Sequence, residues 1–217
     1  MQDDEAYLKY PQHRKWFNKL YIAETFGYKC GPAGVDIPED GTYVIRPIYN
    51  LSGMGIGATI KQLKAGDENS TPPGYFWCEY FNGPHYTANY KWVYDRDMID
   101  GRWKNPWKAS TCWEGINMHT NLTKFVEWKR VEHLPVVPEK LNILRDVKEI
   151  NVEFIGDKVI EVHLRKSPDP DYDHFIPVWR SDENKVSHYL MHGYEYKRSY
   201  DDADGHLDDP RIGFLVK

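Results

Sequence analysis

Asn151-Val152-Glu153-Phe154-Ile155-Gly156-Asp157-Lys158-Val159-Ile160-Glu161-Val162-His163-Leu164-Arg165 is a pair of apolar, β-branched arms joined by a Gly-Asp turn. So short a connection obliges the arms to pair as an antiparallel hairpin. Glu153 and Glu161 stand one on each arm. Two carboxylates on neighbouring strands can project from one face, depending on the register. Such a pair suits magnesium, which takes carboxylates together with substrate phosphates, and the cation offsets the cost of bringing two acids close. The plainer reading, two solvated acids balanced by Lys158 and Arg165, is the commoner fate of strand acids taken alone.

Upstream, Val44-Ile45-Arg46-Pro47 reads as a short strand running into Ser52-Gly53-Met54-Gly55-Ile56-Gly57, and Ala58 to Leu63 reads as a returning strand. Glycines at a hairpin tip let the backbone approach a polyphosphate and point N–H groups at it, although such tips also serve as plain turns. Ser52, Gly53, Gly55 and Gly57 are therefore candidate phosphate contacts, and Arg46 a candidate phosphate cation. Rival nucleotide motifs fail: no Gly-Lys-Ser/Thr ends a P-loop, and Gly53, Gly55 and Ala58 match a dinucleotide pattern but lead into a strand where a helix is required. A kinase would need His-Arg-Asp and Asp-Phe-Gly, and neither occurs. Further on, Tyr75 to Phe81 is strand-like and turns at Asn82-Gly83-Pro84 into His85 to Val93. Extended backbone at Glu79, Tyr80 and Phe81 can hydrogen-bond an adenine edge; His85 is read as a surface histidine.

Around these stretches, Trp16, Leu20 and Ala23 with a stop at Gly27 predict a helix over 12–26, and Leu141, Leu144, Val147 and Ile150 predict another after Pro138. Residues 95–130 carry scattered Trp without a clean period and receive no assignment. The net charge of −5 argues against nucleic acid as a partner. Cys30, Cys78 and Cys112 form no C-x-x-C pair and are read as reduced, structural thiols. An acidic start and the lack of any apolar run near 18 residues argue against a leader or a membrane partner, so a cytoplasmic protein is expected.

Taken in order from about Asn18 to Arg165, the basic strand, glycine flap, acid-aromatic-apolar triplet and closing acidic hairpin resemble the ATP-grasp superfamily. The resemblance implies an α+β fold of two lobes, antiparallel sheets with helices, and a nucleotide cleft between lobes at 1–90 and 91–217. It implies an ATP-dependent carboxylate-amine or carboxylate-thiol ligase working through an acyl-phosphate. The implied cofactors are ATP and magnesium; the implied partners are a small-molecule or peptide carboxylate and an amine acceptor. Arg46 and Arg165 would be catalytic, and Arg46 would also contact ATP phosphates with Lys19 or, failing that, Lys15. The flap would cover the phosphates and Glu79 to Phe81 would hold adenine. Glu153, Glu161 and His163 would hold the metal; His163 stands where the family has asparagine, which favours manganese as an alternative. The chain lacks room for the family's separate N-terminal domain. It resembles a stripped-down version of the kind expected in a large tailed phage, which would act in the host cytoplasm. The alternative is a non-catalytic nucleotide-binding or virion-associated protein with the same fold.

Overall fold

The computed structural model describes residues 1–50, 55–67, 71–93, 106–117, 122, 124–201 and 209–217. Helix α1 (Asp3–Lys9) opens the chain, followed by a 3₁₀ segment (Pro11–Phe17) and helix α2 (Lys19–Phe26). The single helix expected over 12–26 is thus broken. Pro11 starts the 3₁₀ turn, and Asn18, extended at φ −85°, caps α2 by accepting the Tyr21 N–H at 2.8 Å. Gly27, left-handed at φ 76°, ends α2 where the sequence puts its stop.

Four antiparallel strands follow: β1 (Cys30–Pro32), β2 (Gly41–Pro47), β3 (Thr59–Leu63) and β4 (Tyr75–Glu79), arranged in the order β1-β4-β2-β3. Tyr43, Ile45, Leu63 and Trp77 close over Ile37 on one face of this smaller sheet. The chain then enters an eight-stranded antiparallel sheet. Its strands are β5 (His85–Trp92), β6 (Trp107–Asn117), β7 (Phe125–Arg130), β8 (Glu149–Ile155), β9 (Lys158–His163), β10 (His174–Trp179), β11 (Glu195–Asp201) and β12 (Arg211–Val216). They lie in the order β11-β12-β10-β7-β6-β5-β8-β9. Helix α3 (Lys185–Met191) precedes β11. The architecture is α+β, two antiparallel sheets with a few helices.

The segment left unassigned from sequence supplies β6 and β7, whose buried Trp113 and Trp128 pack with Phe175 and Phe214. Leu141, Leu144, Val147 and Ile150 are all fully buried, but only Glu139–Leu144 coils, as 3₁₀, and β8 begins at Glu149. The expected helix there is reduced to two 3₁₀ turns. Ala6, Trp16 and Ile22 share a core with Ala88, Val152 and Phe154, so the N-terminal helical segment packs on the larger sheet and α2 lies against β9. Among the described residues no helix is long and apolar enough to cross a membrane.

The β8–β9 hairpin carries a bulge. Ile155 pairs with Lys158 and Phe154 with Val159, but Glu153 pairs with Glu161 and Asn151 with His163. Ile160 is the extra residue, and in an unbulged ladder it would have faced Glu153. The bulge therefore turns Glu161 and His163 onto the face that Glu153 occupies.

Candidate active site

Between the two sheets lies a cleft of about 920 Å³. Val44, Arg46, Cys78 and the segment Glu79 to Pro84 line it from the smaller sheet and the link that leaves it, and Gly115, Phe125, Trp128, Trp179 and Arg211 line it from the larger sheet. Glu153, Glu161, His163 and Arg165 line it as well. One oxygen of each glutamate and one ring nitrogen of His163 lie within 4.8 Å of one another.

Three cations converge on the glutamates. Lys19, at the start of α2 and buried, brings its Nζ 2.5 Å from Glu161 Oε1. Arg46 on β2 approaches the same oxygen at 3.4 Å and donates at 2.8 Å to the carbonyl of Ile160. That carbonyl belongs to the bulged residue, so the irregularity in β9 also supplies the acceptor that ties the two sheets. His163 Nε2 lies 3.4 Å from Glu153 Oε1 and 3.7 Å from Glu161 Oε2, while its Nδ1 is 2.9 Å from Asp3 Oδ2. The Asp3 carboxylate takes the Nδ1–H, fixes the ring and turns Nε2 to the glutamates, the arrangement that orients a metal-binding imidazole once a cation displaces the Nε2 proton. Two carboxylates and an imidazole so placed fit a divalent cation, manganese better than magnesium because of the nitrogen donor.

The surroundings set the charge states. Burial opposes ionisation of Asp3, yet the charges and hydrogen bonds of His163 and Arg165 outweigh it and hold the carboxyl at about 2. Burial likewise opposes the charge on His163, but Asp3, with Glu153, lifts it to about 10. For Glu153, burial is outweighed by hydrogen bonds with His163 and His85, and the carboxyl sits well below the ordinary range.

Several site residues expected from sequence are brought together: Lys19, Arg46, Glu153, Glu161, His163 and Arg165 form one connected cluster, with Gly55 and Glu79 to Phe81 along the same cleft. Lys19 stands behind Glu161 and does not line the cleft; Lys15 is exposed and stacks over the Tyr21 ring. Gly57, at φ 79°, packs towards Tyr75 and Pro47. Ser52 and Gly53 lie outside the described residues.

Two groups were missed. Asp3, on α1, is 3% exposed and accepts from Arg165 at 2.8 Å as well as pairing with His163. Its only sequence signal is an acid in the first turn of a short helix, which ordinarily reads as a response to the helix dipole. His85, read as a surface group, lines the cleft with Nε2 3.2 Å from Glu153 Oε2; its adjacency to the turn after Phe81 was the available hint. Asp3 Oδ1 and Arg165 Nε are buried with no hydrogen-bond partner among the described residues.

No family model matches this chain, and no curated protein matches it in sequence. Solved structures do match in fold. N5-carboxyaminoimidazole synthetase from Staphylococcus aureus complexed with ADP superposes with a TM-score of 0.54 at 10% identity, covering 94% of this chain and 68% of that one. The ADP complex of an N5-carboxyaminoimidazole ribonucleotide synthetase gives 0.54 at 10% identity, with 93% and 67% covered. The Aspergillus clavatus N5-carboxyaminoimidazole synthase, bound to ADP and 5-aminoimidazole ribonucleotide, gives 0.53 at 8% identity, with 93% and 68% covered.

Proposed function

We propose that this chain, which has the ATP-grasp fold, binds ATP in the cleft between its sheets and uses it to join a carboxylate to an amine or thiol. The observation that carries the reading is the cluster of Glu153, Glu161 and His163 lining the cleft, with Arg46 3.4 Å from Glu161. Structures of like fold that hold ADP support it.

The purine would lie at the Glu79 to Phe81 end. The N–H groups of Glu79 and Tyr80 are already committed to the carbonyls of Lys29 and Thr42, so an adenine edge would use other backbone groups of this segment. Gly55, with Ser52, Gly53 and Gly57, would form the flap over the phosphates. Arg46 would meet phosphate oxygens, and Lys19 would hold Glu161 in place from behind. A divalent cation held by Glu153, Glu161 and His163 would neutralise phosphate charge. Arg165 keeps an unpartnered Nε in the cleft wall and would steady the anion that develops as the γ-phosphoryl group passes to the carboxylate. The amine or thiol then displaces phosphate. No protein nucleophile is needed; catalysis is positioning and charge neutralisation. The wall formed by Phe125, Trp128, Trp179 and Arg211 would receive the carboxylate substrate.

A second reading, a nucleotide-binding protein without turnover, is favoured by the saturation of Glu161 by Lys19 and Arg46 and of Glu153 by His163 and His85. Phosphate release with ATP, manganese or magnesium, and a panel of acids and amines separates the two. The ligase releases phosphate only with both co-substrates, and Glu161→Ala, still folded by circular dichroism, does not. Turnover by Glu161→Ala at the parental rate would overturn the metal assignment; metal-dependent binding of ATP without phosphate release would select the second reading.

A further inference from the structure

Cys30 and Cys78 are directly opposite each other in the β1–β4 ladder. The Glu79 N–H donates to the carbonyl of Lys29 and the Ala33 N–H to that of Tyr75. Bonds flanking the pair in this way mark Cys30 and Cys78 as a non-hydrogen-bonded pair, the closer of the two antiparallel spacings, with Cα atoms about 4.5 Å apart. That lies within the range of roughly 4.4–6.8 Å that a disulfide spans. Both thiols are free and sit in one apolar cluster beneath Ala23 of α2, with Tyr28 and Phe81 packed against it. Cys30 is half-buried and Cys78 is 5% exposed.

We propose that Cys30 and Cys78 are a modification site, a cross-strand dithiol that closes to an intramolecular disulfide on meeting a low-molecular-weight disulfide. The more exposed Cys30 thiolate attacks one sulfur of the oxidant, forming a mixed disulfide and releasing one small thiol. Cys78 then attacks the Cys30 sulfur and releases the second. The protein loses two hydrogens and two electrons, and the small disulfide becomes two thiols. Burial pushes the Cys30 thiol up to about 11 and the Cys78 thiol to about 12, so thiolates are scarce at neutral pH and the bond sets slowly, faster in alkali. The inference does not depend on the ligase reading. Its place in the fold gives it a consequence, since β1 is a three-residue edge strand and Cys78 lines the cleft immediately before Glu79. Closure fixes that edge to the strand feeding the proposed purine end.

The test is incubation of the native chain with oxidised glutathione at mildly alkaline pH beside an unstructured cysteine peptide, followed by alkylation, digestion without reduction and mass spectrometry. The expected product is one linked peptide joining Cys30 to Cys78, lighter by two hydrogens, reversed by dithiothreitol. Cys112, 1% exposed, is alkylated only after unfolding. Cys30→Ser yields no link. Glutathione retained on Cys30, a link through Cys112, or a pair that stays reduced long after the control peptide is fully oxidised would each overturn the proposal.

Discussion

Replacing Asp3 by asparagine keeps the shape of the side chain and deletes the charge shared by His163 and Arg165. A fall of the Asp3 carboxyl from 3.8 to about 2, at about 1.4 kcal/mol per pKa unit, corresponds to about 2.5 kcal/mol. The rise of His163 from 6.5 to about 10 corresponds to about 5 kcal/mol by the same conversion. The His163 figure is larger because it also counts the hydrogen bond with Glu153; the Asp3 figure is the better guide to the substitution, since it refers to the deleted group. Asp3→Asn should therefore lose about 2.5 kcal/mol or somewhat more, because two buried cations are left facing a neutral amide, and melt roughly 5–10 °C lower. The signs of the pH dependence are opposite for the two partners. The Asp3 contribution is complete above 3.8 and is lost as pH falls towards 2; the His163 contribution is complete below 6.5 and is lost as pH rises through about 10. Urea unfolding of chelator-treated protein from neutral to alkaline pH reads the second arm directly. Wild type should weaken steadily above 6.5, and Asp3→Asn should start lower and weaken over a narrower, less alkaline span. Two parallel curves of equal height would refute the coupling.

Other perturbations probe separate parts of the molecule. In Gly57→Ala a Cβ would stand 2.7 Å from Tyr75 Oη and 3.1 Å from Pro47 Cγ at φ 79°, so a loss of about 1–3 kcal/mol is expected by denaturant titration; Gly66→Ala, at φ 84° in open space, should lose about 1 kcal/mol. Phe154→Ala empties a site 1% exposed in the largest core and should cost about 3–5 kcal/mol, read the same way. Melting-point titrations with ATP should show manganese stabilising wild type more than magnesium does, and His163→Asn should remove that preference; an unchanged preference would take His163 out of the donor set.

What could be read in the residues was local. The Gly156-Asp157 turn defines its hairpin, and the strands on either side of the glycine flap carry their own β-branched signal. What could not be read depends on contacts distant in sequence. Asp3 meets its partners some 160 residues away, and nothing in an acidic first turn announces a buried ion pair. The break at Asn18 is a capping choice that an apolar period passes over, because Trp16 and Ile22 bury equally well on either side of it. Strands β6 and β7 escaped because their Trp residues pack with Phe175 of β10 and with Phe214 and Val216 of β12, far off in sequence. Most instructive is the register of the glutamates: with a two-residue turn, plain alternation places Ile160 opposite Glu153 and sends Glu161 to the far face. Only the bulge reverses that, and a bulge leaves no mark in composition.

The extra residue in β9 thus holds two jobs that need not travel together. Excising Ile160 would restore an even ladder in which Glu153 and Glu161 still stand opposite, so the acidic pair would survive. Arg46 would lose the carbonyl on which it now rests and keep only its longer contact with Glu161, so the tie between the two sheets would slacken. A single missing residue would then leave cation capture in place while loosening the grip of one sheet on the other, and the parity of the hairpin would become a handle on that grip.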